Sequence, residues 1–124
     1  MMSMMSSLKK GEITPETKAE ILELQSQTYL NMSICFFKRE NYFKAVEKAT
    51  DSIKLKKSYK AYYRRGMAYA KLLQYDNAAE DMLAAIKMDT SDPQNIQQEL
   101  NKFKREAAKQ DKERLEKLSG FLLK

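Results

Sequence analysis

Histidine and tryptophan are absent from the 124 residues, cysteine occurs once, proline twice and glycine three times. Without histidine, and with one thiol, zinc, haem and nucleophilic-triad chemistries lack their residue types. Three glycines build no phosphate-cradling loop. A single cysteine is not a disulfide framework, which points to a reducing compartment, the cytoplasm. No apolar run nears the ~20 residues of a membrane span, and the Met-rich, polar start lacks the apolar stretch of a signal peptide. The carboxylates show neither metal-site spacing nor a cleft arrangement. The sequence therefore points away from an enzyme and offers no catalytic residue, no metal ligand set and no cofactor.

What is present is charge in a helix-forming chain long enough for one domain with a modest core. Lys plus Arg number 23 against 17 Asp plus Glu, a net charge of +6 that favours acidic partners. Both prolines sit where a helix could begin. Thr14-Pro15-Glu16-Thr17 reads as an N-cap followed by proline in the first helical position, and Ser91-Asp92-Pro93 reads the same way before Gln94. Elsewhere the apolar residues recur at three and four, not at two. The spacing predicts an all-α chain with helices over 15–38, 42–55, 59–72, 76–88 and 93–118. Residues 1–14 are expected to be disordered, and 93–124 to form a capping helix that projects into solvent.

An internal repeat emerges at an offset of 33 residues, which lays Ala45 on Ala78. Tyr29 then falls on Tyr62, Ser33 on Gly66, Phe36 on Tyr69, Tyr42 on Tyr75 and Ile53 on Ile86. At these packing positions large residues meet large and small meet small, with Ala49 opposite Met82 an exception. Helix-hairpin packing explains the pattern. Ser33 and Gly66 permit two backbones to approach, Ala45 and Ala78 receive that approach, and Phe36 and Tyr69 fill the wedge. Such a period is the signature of a helical solenoid.

In these residues the chain resembles the tetratricopeptide repeat (TPR) family. Residues 59–91 follow its pattern through Tyr62, Gly66, Tyr69, Tyr75, Ala78, Met82 and Ala85, with Thr90 where proline is usual. Residues 26–58 follow it more loosely, with Ser33 for glycine, Ser52 for alanine and Lys57 for proline. The resemblance implies two stacked helical hairpins over 15–92 followed by a long C-terminal helix. The first helix is apolar on several sides, along Ile21-Leu24-Thr28-Met32, along Leu22-Tyr29-Phe36 and along Leu30-Ile34-Phe37. A terminal solenoid helix should present a polar outer face. The expectation is that an upstream repeat is missing, or that a second copy covers helix 15–38 by self-association or domain exchange.

Charge is uneven along the chain. Residues 38–65 hold ten Lys/Arg against three acids, whereas 71–100 hold two against six. The first helices of TPR hairpins line the groove, which places Gln27, Leu30, Asn31, Ile34 and Lys38, then Lys60, Tyr63, Arg64, Met67 and Lys71, on that surface. Lys60 and Arg64 lie one turn apart, with Asn31 at the position equivalent to Arg64. Two cations and an amide, with no acid, suit a carboxylate taken from water. Ile34, Phe37, Tyr63 and Met67 offer an apolar wall beside it. Arg65 reads as a surface charge, and Cys35 as a small buried hydrophobe.

The stretches Leu30-Asn31-Met32-Ser33-Ile34-Cys35 and Tyr59-Lys60-Ala61-Tyr62-Tyr63-Arg64-Arg65-Gly66 are similar to the dicarboxylate-clamp TPR co-chaperones, the large peptidyl-prolyl isomerases (immunophilins) among them. Those proteins hold the C-terminal Glu-Glu-Val-Asp of heat-shock proteins 90 and 70. The resemblance implies that Asn31 and Lys60 hold terminal carboxylates and that Arg64 meets an upstream acidic side chain or carbonyl. A full clamp also takes a Lys and an Asn from a repeat before Asn31, which this chain lacks. The alternative is a TPR scaffold or self-associating fragment that binds another protein without a clamp. Tyr29, Phe36, Tyr62 and Tyr69 fall on core positions, not on a stacking platform, so no nucleic acid is expected, and no membrane. The charged C-terminal helix resembles one credited with calmodulin binding in the isomerases, but four acids between Glu106 and Glu116 weaken that partner. Ser119-Gly120 is expected to stop the helix.

Overall fold

A computed structural model describes residues 11–123 as five helices, α1 (Pro15–Lys38), α2 (Tyr42–Leu55), α3 (Tyr59–Lys71), α4 (Tyr75–Met88) and α5 (Ile96–Leu122). The expected disordered segment 1–14 lies outside the described residues up to position 10. Thr14 caps α1 as its sequence predicts, its hydroxyl accepting from the Thr17 N–H at 3.1 Å. Neighbouring helices pack in chain order, α1 on α2, α2 on α3, α3 on α4 and α4 on α5, and α1 also touches α3. No described helix is long and apolar enough to cross a membrane.

The hairpins are held by close backbone approach at small residues. A Cβ on Gly66 would stand 2.6 Å from Met82 Cε, 3.1 Å from Asp81 Cβ and 3.2 Å from the Ala78 carbonyl oxygen. In the first hairpin the equivalent Ser33 turns the same proximity into a hydrogen bond, its hydroxyl donating to the Ala45 carbonyl at 2.7 Å. Ser26 and Ser52 tie α1 to α2 reciprocally, each hydroxyl donating to the other's carbonyl, at 2.9 and 2.8 Å. The two interhelical turns are copies as well. Glu40 and Leu73 both take φ 62°, and the next N–H groups, of Asn41 and Gln74, donate back to Phe36 and Tyr69, each at 2.9 Å. The larger apolar core lies under α5, where Ala78, Met82, Ala85, Ile96, Leu100 and Phe103 are buried together.

Arg65 is not the surface charge its sequence suggests. Its Nε and Nη2 donate to the two carboxylate oxygens of buried Asp81, each at 2.8 Å, and Nη1 donates to Thr50 Oγ1 at 3.3 Å. The guanidinium also stands 5.6 Å from the Tyr62 ring centre and 5.8 Å from that of Tyr69. The hydrogen bonds it donates to Asp81 push the Arg65 pKa above its ordinary value, while burial pushes the Asp81 carboxyl above its own against the pull of Arg65. A carboxyl raised on folding binds its proton more readily folded. Its own contribution to stability therefore grows as pH falls through the carboxylate range and is lost as pH rises through its folded pKa.

Three further expectations are corrected. Cys35 is exposed, because no element among the described residues covers that side of α1. α5 begins at Ile96, beyond Pro93, because Asp92 and Asn95 take left-handed φ values of 51° and 53° and turn the chain first. The Asp92 carboxylate then caps the helix across this turn, accepting from the N–H groups of Ile96 and of Gln97, the latter at 3.1 Å. Finally, α5 runs through Gly120 to Leu122. A glycine ends a helix where the backbone turns left-handed, and Gly120 does not; within a helix it costs only about 1 kcal/mol relative to alanine.

Two stability predictions result. Gly66→Ala should lose about 1–2 kcal/mol in urea denaturation despite the better helix former, because the crowding outweighs the propensity gain. Asp81→Ala should cost about 2–4 kcal/mol by stranding Arg65, and Arg65→Met/Asp81→Leu should recover most of that loss.

Candidate functional site

The hairpin register sets α1 beside α3 and opens between them a cavity of about 380 Å³. Gln27, Leu30, Asn31 and Ile34 line it from α1, Lys60, Tyr63 and Arg64 from α3, and Gln94 from the turn before α5. Ser58 starts α3 by accepting from the Ala61 N–H at 3.1 Å, which fixes Lys60 and Arg64 in the first two turns of the helix. Tyr63 carries the Arg64 guanidinium 5.8 Å from its ring centre.

The lining holds two cations, three amides and no acid. Among the described residues neither Lys60 nor Arg64 makes an ion pair, in contrast to Arg65 one position on. Leu30, Ile34 and Tyr63 are half-buried and supply the apolar wall. The cavity thus offers cationic and amide donors beside hydrocarbon, the combination that replaces a carboxylate's hydration while accommodating a neighbouring side chain.

Asn31, Ile34, Lys60, Tyr63 and Arg64 come together in this cavity, but three other candidates stand elsewhere. Phe37 packs edge-on against Tyr42, ring centres 5.3 Å apart, inside the first hairpin. Lys38 is exposed at the end of α1, a turn beyond Ile34. Met67 packs against the core beneath α5 and lines a separate groove with Lys71, Glu99 and Lys102. The second hairpin explains part of this rearrangement. Ala70 stands where the repeat would place a second Phe37, and Phe103 of α5 takes up the neighbourhood of Tyr75, ring centres 6.1 Å apart. Gln94 was not singled out from sequence, since it reaches the cavity from an irregular turn with no periodicity to read. The closest signal was its neighbour Asp92, an acid beside a proline.

No family model matches the chain. A peptidyl-prolyl cis-trans isomerase of Saccharomyces cerevisiae is 31% identical over 81 residues, covering 61% of this chain and 21% of the isomerase, so the chain spans about a fifth of that relative's length. Among solved structures, the second TPR of Spaghetti (RPAP3), bound to the HSP90 peptide SRMEEVD, superposes with a TM-score of 0.59 at 24% identity, over 75% of this chain and 90% of that one. With the hairpins, their small-residue contacts and this likeness together, the chain has the fold of a tetratricopeptide-repeat domain.

Proposed function

We propose that the chain is a non-catalytic binding module of the co-chaperone kind, which receives an acidic C-terminal chaperone peptide of the Glu-Glu-Val-Asp type in the cavity between α1 and α3. The reading rests on a cavity lined by Lys60, Arg64 and three amides with no acid. It is supported by the structural neighbour, a TPR whose bound ligand is an HSP90 peptide ending in EEVD. Lys60 and Asn31 take the terminal carboxylates, with Gln27 and Gln94 as additional amide donors. Arg64 takes an upstream acidic side chain or carbonyl, and Leu30, Ile34 and Tyr63 hold the apolar side chain between the charges. The setting is the cytoplasm, where such chaperones present their C-termini.

The pairing is strong because neither cation makes an ion pair among the described residues and a charged hydrogen bond is worth about 1.5–3 kcal/mol. In fluorescence anisotropy, a labelled pentapeptide ending in Glu-Glu-Val-Asp should bind, and its C-terminal amide should bind at least about tenfold more weakly. Lys60→Ala and Arg64→Ala should each weaken the acid by about 10- to 100-fold. Equal binding of acid and amide, or indifference to both substitutions, would leave a scaffold whose partner docks elsewhere.

A further inference from the structure

The stripe of α3 that lines the cavity continues beyond it. Lys60, Arg64, Met67 and Lys71 recur at intervals of four, three and four, which is one face of a helix. The first two belong to the cavity and the last two to a second groove of about 210 Å³. α5 accompanies α3 past both, since Gln94 just before it reaches the cavity while Glu99, Lys102 and Phe103 wall the groove. Met67 and Tyr75 are half-buried beside the buried Phe103 and give the groove an apolar floor. Lys71 and Lys102 stand exposed on its two walls, with Glu99 half-buried on the α5 side. Among the described residues none of these three makes an ion pair. Two cations against one acid leave the groove one positive charge in excess.

A peptide whose terminal carboxylates meet Asn31 and Lys60, and whose upstream acid meets Arg64, already runs along α3 towards Lys71. From Arg64 to Lys71 the helix rises about 10 Å at ~1.5 Å per residue. An extended peptide covers that distance in about three residues. Resting on the peptide-binding reading of the cavity, we propose that the groove is a second subsite of the same surface, which selects peptides whose acidity continues upstream of the Glu-Glu pair. The residue just before that pair lies over Met67 and Tyr75, and the acids before it reach Lys71 and Lys102. Glu99 opposes them and sets the size of the preference. Both lysines are exposed, so the groove acts on selectivity between peptides more than on total affinity, and salt weakens it.

Calorimetric titration of the full chain at low ionic strength tests this with three acetylated heptapeptides, Asp-Asp-Leu-Glu-Glu-Val-Asp and its counterparts beginning Ala-Ala and Lys-Lys. The aspartate peptide should bind about three- to tenfold more tightly than the alanine peptide, and the lysine peptide no more tightly than the alanine one. Lys71→Ala/Lys102→Ala should abolish the aspartate gain, and Glu99→Gln should enlarge it. Lys54→Ala/Lys104→Ala removes the same charge from exposed positions outside cavity and groove and should keep the gain. Equal affinities for the three peptides overturn the proposal. So does a gain that survives Lys71→Ala/Lys102→Ala, or one that Lys54→Ala/Lys104→Ala abolishes as well. In each of those cases the alanine peptide still binds and the reading of the cavity stands, whereas failure of all three peptides to bind overturns both.

Discussion

The close approach of paired helices at Ser33 and Ala45, and again at Gly66 and Ala78, is the constraint on which the other features depend. With no side chain at Gly66 and a hydroxyl at Ser33 that bonds the facing carbonyl, the helices of each hairpin settle into one depth and one register. The same register, repeated after 33 residues, brings α1 and α3 side by side. Asn31 and Arg64 then face a common space, and Lys60 joins them one turn below. A bulkier residue at either approach point would separate the helices that define the cavity. The site is thus a consequence of hairpin packing and needs no dedicated loop, apart from the turn that delivers Gln94.

Adjacent arginines divide two tasks. Successive residues of a helix point about 100° apart, so Arg64 reaches the cavity while Arg65 turns towards α4. There Asp81 neutralises Arg65, and two tyrosine faces, with Thr50 of α2, surround it. That pair joins the two helices of the second hairpin, the bond to Thr50 ties it to the first, and Asp81 is kept from drawing on the cavity's positive charge. The net result is a basic cavity in a chain whose 71–100 stretch is acidic, with the structural cation committed and the cavity cations in no ion pair among the described residues.

The hairpins were legible because their signal is local and doubled: small residues at 33 and 66, alanines at 45 and 78, aromatics at 36 and 69. Seven residues that meet at the cavity, Gln27, Leu30, Asn31, Ile34, Lys60, Tyr63 and Arg64, followed from that register. What escaped depends on other elements. The role of Arg65 required knowing that Asp81, on a different helix, comes within 2.8 Å. The exposure of Cys35 depends on what covers α1, and the displacement of Met67 on where α5 lies, neither of which periodicity records. Pro93 and Gly120 misled for a related reason. Each is a punctuation signal whose meaning is set by neighbouring backbone angles, and at Asp92 and Asn95 those angles are left-handed, a conformation that Asp and Asn adopt more readily than other non-glycine residues but that nothing in the periodicity marks.

The division between the two arginines also gives the most direct test of the central claim, that Arg64 serves an acidic ligand while Arg65 serves the fold. Arginine Nε–Hε resonances can be followed by NMR as an acidic peptide ending in a free Glu-Glu-Val-Asp is added. The account predicts a saturating shift at Arg64 and a stationary signal at Arg65, with neither moving for the C-terminal amide at the same concentration. A shift at Arg65 alone, or equal shifts at Arg64 with acid and amide, would contradict it.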